Sequence, residues 1–187
     1  HTLAQLKAIN DATNGTITFH DASVALNGSS ADVAAALTGI TGYTGNVSLS
    51  DAHGLTELKA ISNATSGTIT LHDYTVALSG STADIKAALA GTFGGTYTGD
   101  VTITDADNTD ITATDITTIA AATSGTITVT NAIDINGTAA EVAAAVAAVD
   151  TFSGAATATL SERGPDITIS GANIAEIDGE YVEIDDA

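Results

Sequence analysis

The sequence predicts an α/β protein, a repetitive right-handed α/β solenoid of alternating short helices and parallel strands with a β-rich C-terminal cap. Three observations point there. The stretch GTITFHD at Gly15–Asp21 returns as GTITLHD at Gly67–Asp73 and, altered, as GTITVTN at Gly125–Asn131. The copies extend into a unit of about 52 residues built from two halves of about 26, a period typical of stacked arrays. Apolar columns persist while exposed letters drift: Leu6/Leu58/Ile116, Ile9/Ile61/Ile119, Leu26/Leu78/Ile135 and Leu37/Leu89/Val146. A packing problem solved again at every turn leaves that mark, because each unit of an array meets the same neighbours.

Six helix starts can be read in order. Thr2 with Gln5, Ser29 with Asp32, Ser81 with Asp84 and Thr138 with Glu141 have capping-box spacing, and Gly54 with Glu57 and Thr112 with Asp115 are weaker versions. Helices are therefore expected near 2–13, 30–39, 55–65, 82–90, 113–123 and 138–149. Each carries a narrow apolar stripe flanked by alanine, so neighbouring elements can approach closely. After each helix a glycine or Ser-Gly break leads into a short alternating run: Thr16–His20, Asn46–Ser50, Thr68–His72, Asp100–Thr104, Thr126–Thr130 and Ala156–Leu160. Alternation of Ile, Val, Phe or Leu with Thr or Ser describes a half-buried strand. Short additional strands are expected at SVALNG, TVALSG and IDINGT. Strands separated by a helix return in the same direction and should pair in parallel, through right-handed crossovers.

The repeat domain is placed at 1–152. Residues 153–187 hold Pro165, and Ile174–Ile184 carries a hairpin signal around Asp178-Gly179, giving a cap for the open edge or the start of a further domain. The first residue is His1, with no basic and apolar leader in view, so the chain reads as a segment of something longer.

Composition narrows the function. A net charge of −19 with four basic residues, Lys7, Lys59, Lys86 and Arg163, argues against nucleic acid or an anionic membrane as partner. No segment reaches the roughly 20 apolar residues of a membrane span, so no membrane insertion is expected. Cysteine is absent, which removes disulfide, thiolate and cysteine–zinc chemistry.

The most suggestive side chains are acidic residues at the strand ends: Asp21, Asp51, Asp73 and Asp105, joined by Asp107 and Asp110 in the cluster DADNTD. Stacked at ~4.8 Å per strand, such carboxylates would repel one another unless a cation lay between them, and calcium is the oxygen-seeking ion that suits them. The same aspartates are also what a turn needs, since an Asp side chain accepts N–H groups of the residues that follow. DADNTD is not an EF-hand, because Asp110 stands where that loop needs glycine and Ile116 where it needs glutamate. His20 and His72 read as exposed strand residues. His53 lies near Ser50 and Asp51, but neighbours on one strand and turn do not form a catalytic relay. No catalytic residues are assigned.

Phrases such as TLAQLKAINDATNGTITFHDASVALNG, repeated as GLTELKAISNATSGTITLHDYTVALSG, resemble repeat regions of large exported surface proteins of cyanobacteria and other marine bacteria. The likeness covers about Thr2–Val149 and implies an adhesin-like or surface-layer-like setting; the glycine-rich calcium nonapeptide often found beside such regions does not occur here. The resulting expectation is a non-enzymatic extracellular repeat module of a larger surface or secreted protein, stabilised by calcium. Its partners would be other domains of that chain, or a cell-surface protein or glycan. A polysaccharide-binding or polysaccharide-processing domain and a small-ligand or ion carrier are the rival expectations.

Overall fold

The computed structural model describes residues 1–161. In chain order its elements are α1 (Leu3–Ala12), β1 (Leu26–Gly28), α2 (Ser30–Leu37), β2 (Val47–Leu49), α3 (Leu55–Ala64), β3 (Thr68–Thr70), β4 (Leu78–Gly80), α4 (Thr82–Leu89), β5 (Thr92–Phe93), β6 (Val101–Ile103), β7 (Thr109–Thr112), α5 (Ala113–Ala122), β8 (Ile127–Val129), β9 (Ile133–Gly137), α6 (Ala139–Ala148), β10 (Thr151–Phe152) and β11 (Thr157–Leu160). The protein is thus mixed α/β, with six helices among the described residues.

The capping residues explain where the helices begin. Thr2 and Thr138 each form a complete capping box, with Gln5 and Glu141 reaching back to the cap N–H. Ser29, Ser81 and Thr112 accept the N–H of Asp32, Asp84 and Asp115. Asp is one carbon shorter than Glu, and all three of these carboxylates turn instead to the preceding helix, where Lys7 meets Asp32 at 2.7 Å and Lys59 meets Asp84. Lys86 meets Asp115 in the same way at 2.5 Å. Each helix packs on the next in the chain, from α1 on α2 through α5 on α6.

All ladders are parallel, in three sheets of order β1-β2-β3-β5, β10-β8-β6-β4 and β11-β9-β7. Every strand hydrogen-bonds to one that follows the next helix along. Partners lie from 21 residues apart, Leu26 with Val47, to 26 apart, Val101 with Ile127. The apolar columns converge on one core: Leu6, Leu58 and Ile116 are 1%, 0% and 0% exposed, as expected of residues meeting the same packing in successive units. Small residues set the spacing. A Cβ on Gly45 or Gly99 would collide with the carbonyl oxygen of Val24 or Val76, and one on Gly67 or Gly125 with that of Gly45 or Gly99.

Two differences from the sequence expectation have local causes. Thr16–His20 forms no ladder, although its copy contributes β3. In the second unit β3 is flanked by β5, within a segment between Leu89 and Tyr97 that is two residues longer than the one between Leu37 and Tyr43. In the first unit that shorter segment holds Gly39 and Gly42 with φ of 73° and 75°, and left-handed turns cannot present an extended edge to Thr16–His20. The strands β5, β7 and β10 carry no long alternating signal and were not expected. Beyond position 152 the ladder continues with β11 on β9, while the hairpin expected at Ile174–Ile184 lies outside the described residues. No helix among the described residues is long and apolar enough to cross a membrane.

Candidate functional site

The acidic residues divide into three groups. Asp21 and Asp73 close local turns: each Oδ1 accepts both the backbone N–H and the hydroxyl two residues on, from Ser23 at 2.8 and 2.6 Å and from Thr75 at 2.8 and 2.7 Å. The side-chain and backbone hydrogen bonds from Ser23 hold the Asp21 carboxyl below the usual range, and those from the backbone and side chain of Thr75 do so for Asp73. Asp51 and Asp105 reach across a ladder instead. Asp51 accepts the N–H of Ser30 at 2.6 Å, and Asp105 accepts the N–H and hydroxyl of Thr82 at 2.8 and 2.6 Å. Ser30 and Thr82 open α2 and α4, so these carboxylates satisfy orphan helix donors at the positive end of the helix. The register explains the split: Gly28 pairs with Leu49, which sets Asp51 beside Ser30 and not beside Asp21.

Asp107 and Asp110 form the third group. Asp107 accepts the N–H of Ala132 at 3.0 Å, at a turn where Asn108 adopts φ of 60°. Asn131 donates to the Asp105 carbonyl at 2.7 Å, tying the same turn to the following strand. Asp110 lies in β7 directly opposite Asp134 of β9, the one place in the described ladders where two carboxylates share a register position. Thr157 and Thr159 donate to the Asp134 oxygens at 3.0 and 2.8 Å, which offsets part of the repulsion expected between facing like charges. Among the described residues no three His, Asp or Glu side chains come together closely enough to hold one metal ion.

The sequence reading overlooked a histidine–tyrosine pair that occurs twice. His1 and His53 each stand one residue before a helix cap, and each Nε2 lies 3.3 Å from a tyrosine hydroxyl, of Tyr43 and Tyr97 respectively. Those hydroxyls donate to the carbonyls of Val24 and Val76, the latter at 2.5 Å. Since the Tyr97 proton goes to Val76, His53 Nε2 must carry the proton it shares with Tyr97. Its Nδ1 is then a bare acceptor, and it is buried without a partner. Burial pushes the His53 imidazole below its ordinary value, while Asp73, Glu57 and Asp51 pull weakly the other way. Burial likewise pushes the Tyr97 phenol up. Ile111, 4% exposed, occupies the equivalent position before the Thr112 cap, the place from which an apolar side chain often packs on the fourth residue of the helix. The 52-residue spacing of His1 and His53 is the signal for the pair in the sequence; His20 and His72, spaced alike, are both exposed.

Two open grooves flank α1, of about 350 and 280 Å³; the first is lined by Leu3, Ala4, Lys7, Ala8, Asp11 and Asp32. Neither contains the His53–Tyr97 pair or any of the six aspartates singled out from sequence. Compared with known protein families, curated proteins and solved structures, the chain matches none of them.

Proposed function

We propose that this chain is an α/β solenoid, right-handed by the usual chirality of helix crossovers between parallel strands, acting as a non-enzymatic structural and interaction module of a larger extracellular or cell-surface bacterial protein. One observation carries this reading: the side chains with most chemical potential are engaged in joining one half-unit to the next. Asp51 and Asp105 hold helix starts across a ladder, three lysines bridge successive helices, and the buried His53–Tyr97 pair is tied to a backbone carbonyl. A catalytic centre needs such groups directed at a substrate. The partners are neighbouring domains of the same chain, or a cell-surface protein or glycan meeting the Thr- and Ser-bearing strand faces.

Calcium is the proposed stabilising cation. The exposed turns at Asp21, Asp73 and Asp107, and above all the facing Asp110 and Asp134, are where a hard cation would relieve repulsion most. The test is a thermal melt in excess EDTA and across a calcium titration, with magnesium and matched ionic strength as controls. Binding only to the folded state at 100 times the dissociation constant adds about 2.7 kcal/mol. A saturable, calcium-specific rise supports the cation, and a melt indifferent to calcium overturns that part alone. A glycan panel read for both binding and turnover tests the rest: hydrolysis of any member overturns the non-enzymatic module.

A further inference from the structure

Asn-Gly occurs three times in the sequence, at Asn14-Gly15, Asn27-Gly28 and Asn136-Gly137. The pair is chemically special because glycine has no Cβ to shield its backbone nitrogen, which can then approach the side-chain amide carbon of the asparagine before it. The fold treats the three pairs differently. Gly28 ends β1 in register with Leu49, and its carbonyl accepts the N–H of Ser50 at 2.9 Å. Gly137 ends β9 in register with Leu160, and its carbonyl accepts the N–H of Ser161 at 2.9 Å. Both are also packed from the side, since a Cβ would collide with Leu3 at Gly28 and sit 3.1 Å from the Ala113 Cβ at Gly137. A paired, extended backbone must leave its ladder before it can fold back on its own side chain.

Asn14-Gly15 belongs to no helix or strand. α1 ends at Ala12, the backbone bends at both residues, and both are exposed. The Gly15 N–H goes to the Thr13 hydroxyl at 3.0 Å, a surface bond that water can replace. A Cβ on Gly15 would meet nothing closer than that hydroxyl, at 3.3 Å. This openness belongs to the position and does not come from the nearby start of the chain. Ser66 and Ser124 stand there in the second and third units, each behind a preceding unit, and both are exposed. The Gly67 and Gly125 N–H groups that follow them go to the Thr65 and Thr123 hydroxyls at 3.0 Å, as in the first unit.

We infer that Asn14 is a site of spontaneous deamidation, the Asn-Gly pair that the fold leaves free to react, and that serine at the same place in the other two units confines the change to the first. The Gly15 nitrogen gives its proton to hydroxide and attacks the Asn14 side-chain carbonyl carbon. The new C–N bond closes a succinimide ring, the bond to the side-chain nitrogen breaks, and ammonia leaves with a proton taken from water. A second water molecule then opens the ring. Opening at the side-chain carbonyl leaves aspartate at position 14, and opening at the backbone carbonyl leaves iso-aspartate, which adds one carbon to the main chain. Either product adds a negative charge to a chain that already carries −19. The new carboxylate falls in the wall of the groove of about 280 Å³ that Asn14 shares with Thr38 and Ile40.

The test incubates the full chain at mildly alkaline pH and follows each Asn-Gly peptide by mass spectrometry, with an iso-aspartyl methyltransferase to count iso-aspartate. The Asn14 peptide should gain one mass unit and accept methyl groups at least about tenfold faster than the Asn27 and Asn136 peptides, whose ladders must open first. In concentrated denaturant the three rates should converge. Asn14→Ser, which copies the other units, should remove the signal. Gly15→Ala should slow it, because the added methyl shields the attacking nitrogen; both variants are checked for folding by circular dichroism. Reading each peptide separately keeps out Asp178-Gly179, a pair that can isomerise without a change of mass. Equal rates at the three pairs in the folded chain, or an Asn14 peptide that stays intact, would overturn the site. Aspartate formed without iso-aspartate, or a Gly15→Ala variant that reacts at the wild-type rate, would overturn attack by the Gly15 nitrogen.

Discussion

The His1–Tyr43 pair of the first unit and the His53–Tyr97 pair of the second have the same bonds and different surroundings. In both, Nε2 lies 3.3 Å from a phenol that donates to the carbonyl of a valine. His1 is exposed, with its ring 5.2 Å from Phe19, and water can reach its second nitrogen. His53 is 3% exposed, and its Nδ1 is buried without a hydrogen-bond partner. The third unit places Ile111 in that column and has Gly154 where the tyrosine would fall, six residues before Leu160 as Tyr43 and Tyr97 are before Leu49 and Ile103, so histidine and tyrosine are lost together. The pair is therefore kept or lost as a whole, and the same bond is worth different amounts in different units.

The largest loss should come from the backbone approach that both units share. Gly99→Ala sets a methyl against the Val76 carbonyl and should cost about 3 kcal/mol or more in a denaturant melt, as overpacking does. Gly45→Ala should cost a similar amount. Unequal losses would mean that histidine burial changes the packing as well as the polarity.

Next come the hydroxyls. Tyr97→Phe leaves the Val76 carbonyl and buried His53 Nε2 without their partner and should cost about 2 kcal/mol, as unsatisfied buried groups do. Tyr43→Phe should cost less, because solvent can take over at His1; equal costs would remove the contrast.

His53 gives a pH-dependent effect. Above its unfolded value of about 6.5 the imidazole is neutral in both states. Below that pH the unfolded chain takes up a proton that the folded chain resists, so stability falls as the solution is acidified. His53→Ile, copying the third unit, should abolish this loss between about pH 6.5 and 4.5, and melts across that range will show whether the two curves diverge. Below about pH 4 both proteins should weaken further, because Asp21, Asp73 and Asp100 hold their carboxyls low through hydrogen bonds that protonation removes. The smallest effect is expected of Lys59→Ala. Its ion pair with Asp84 is about 40% exposed on both sides and should be worth under about 1 kcal/mol, less still in high salt.

Helices were the most legible part of the sequence. Five of the six caps are side-chain oxygens at the expected residue, because a cap is a local bond between residues three apart. The alternating strands other than Thr16–His20 were legible for the same reason, while the two-residue β5 and β10 depend on β3 and β8, more than 20 residues earlier, and leave no pattern of their own. The aspartates show the limit most clearly. Asp21 and Asp51 look alike as letters after a strand, and only the ladder register sends one to its own turn and the other to the start of α2. The His–Tyr pairs lie 42 and 44 residues apart, beyond any local signal, and only comparison between units reveals them.

The ladder offsets of 21 to 26 residues bear on how such a chain can grow. Duplicating a unit adds strands whose partners are no farther away in sequence than before, so relative contact order falls as the array lengthens. The entropic cost of finding each new partner stays constant, and folding can proceed from unit to unit as the chain emerges. Length can then change by copying DNA, without a new folding problem to solve.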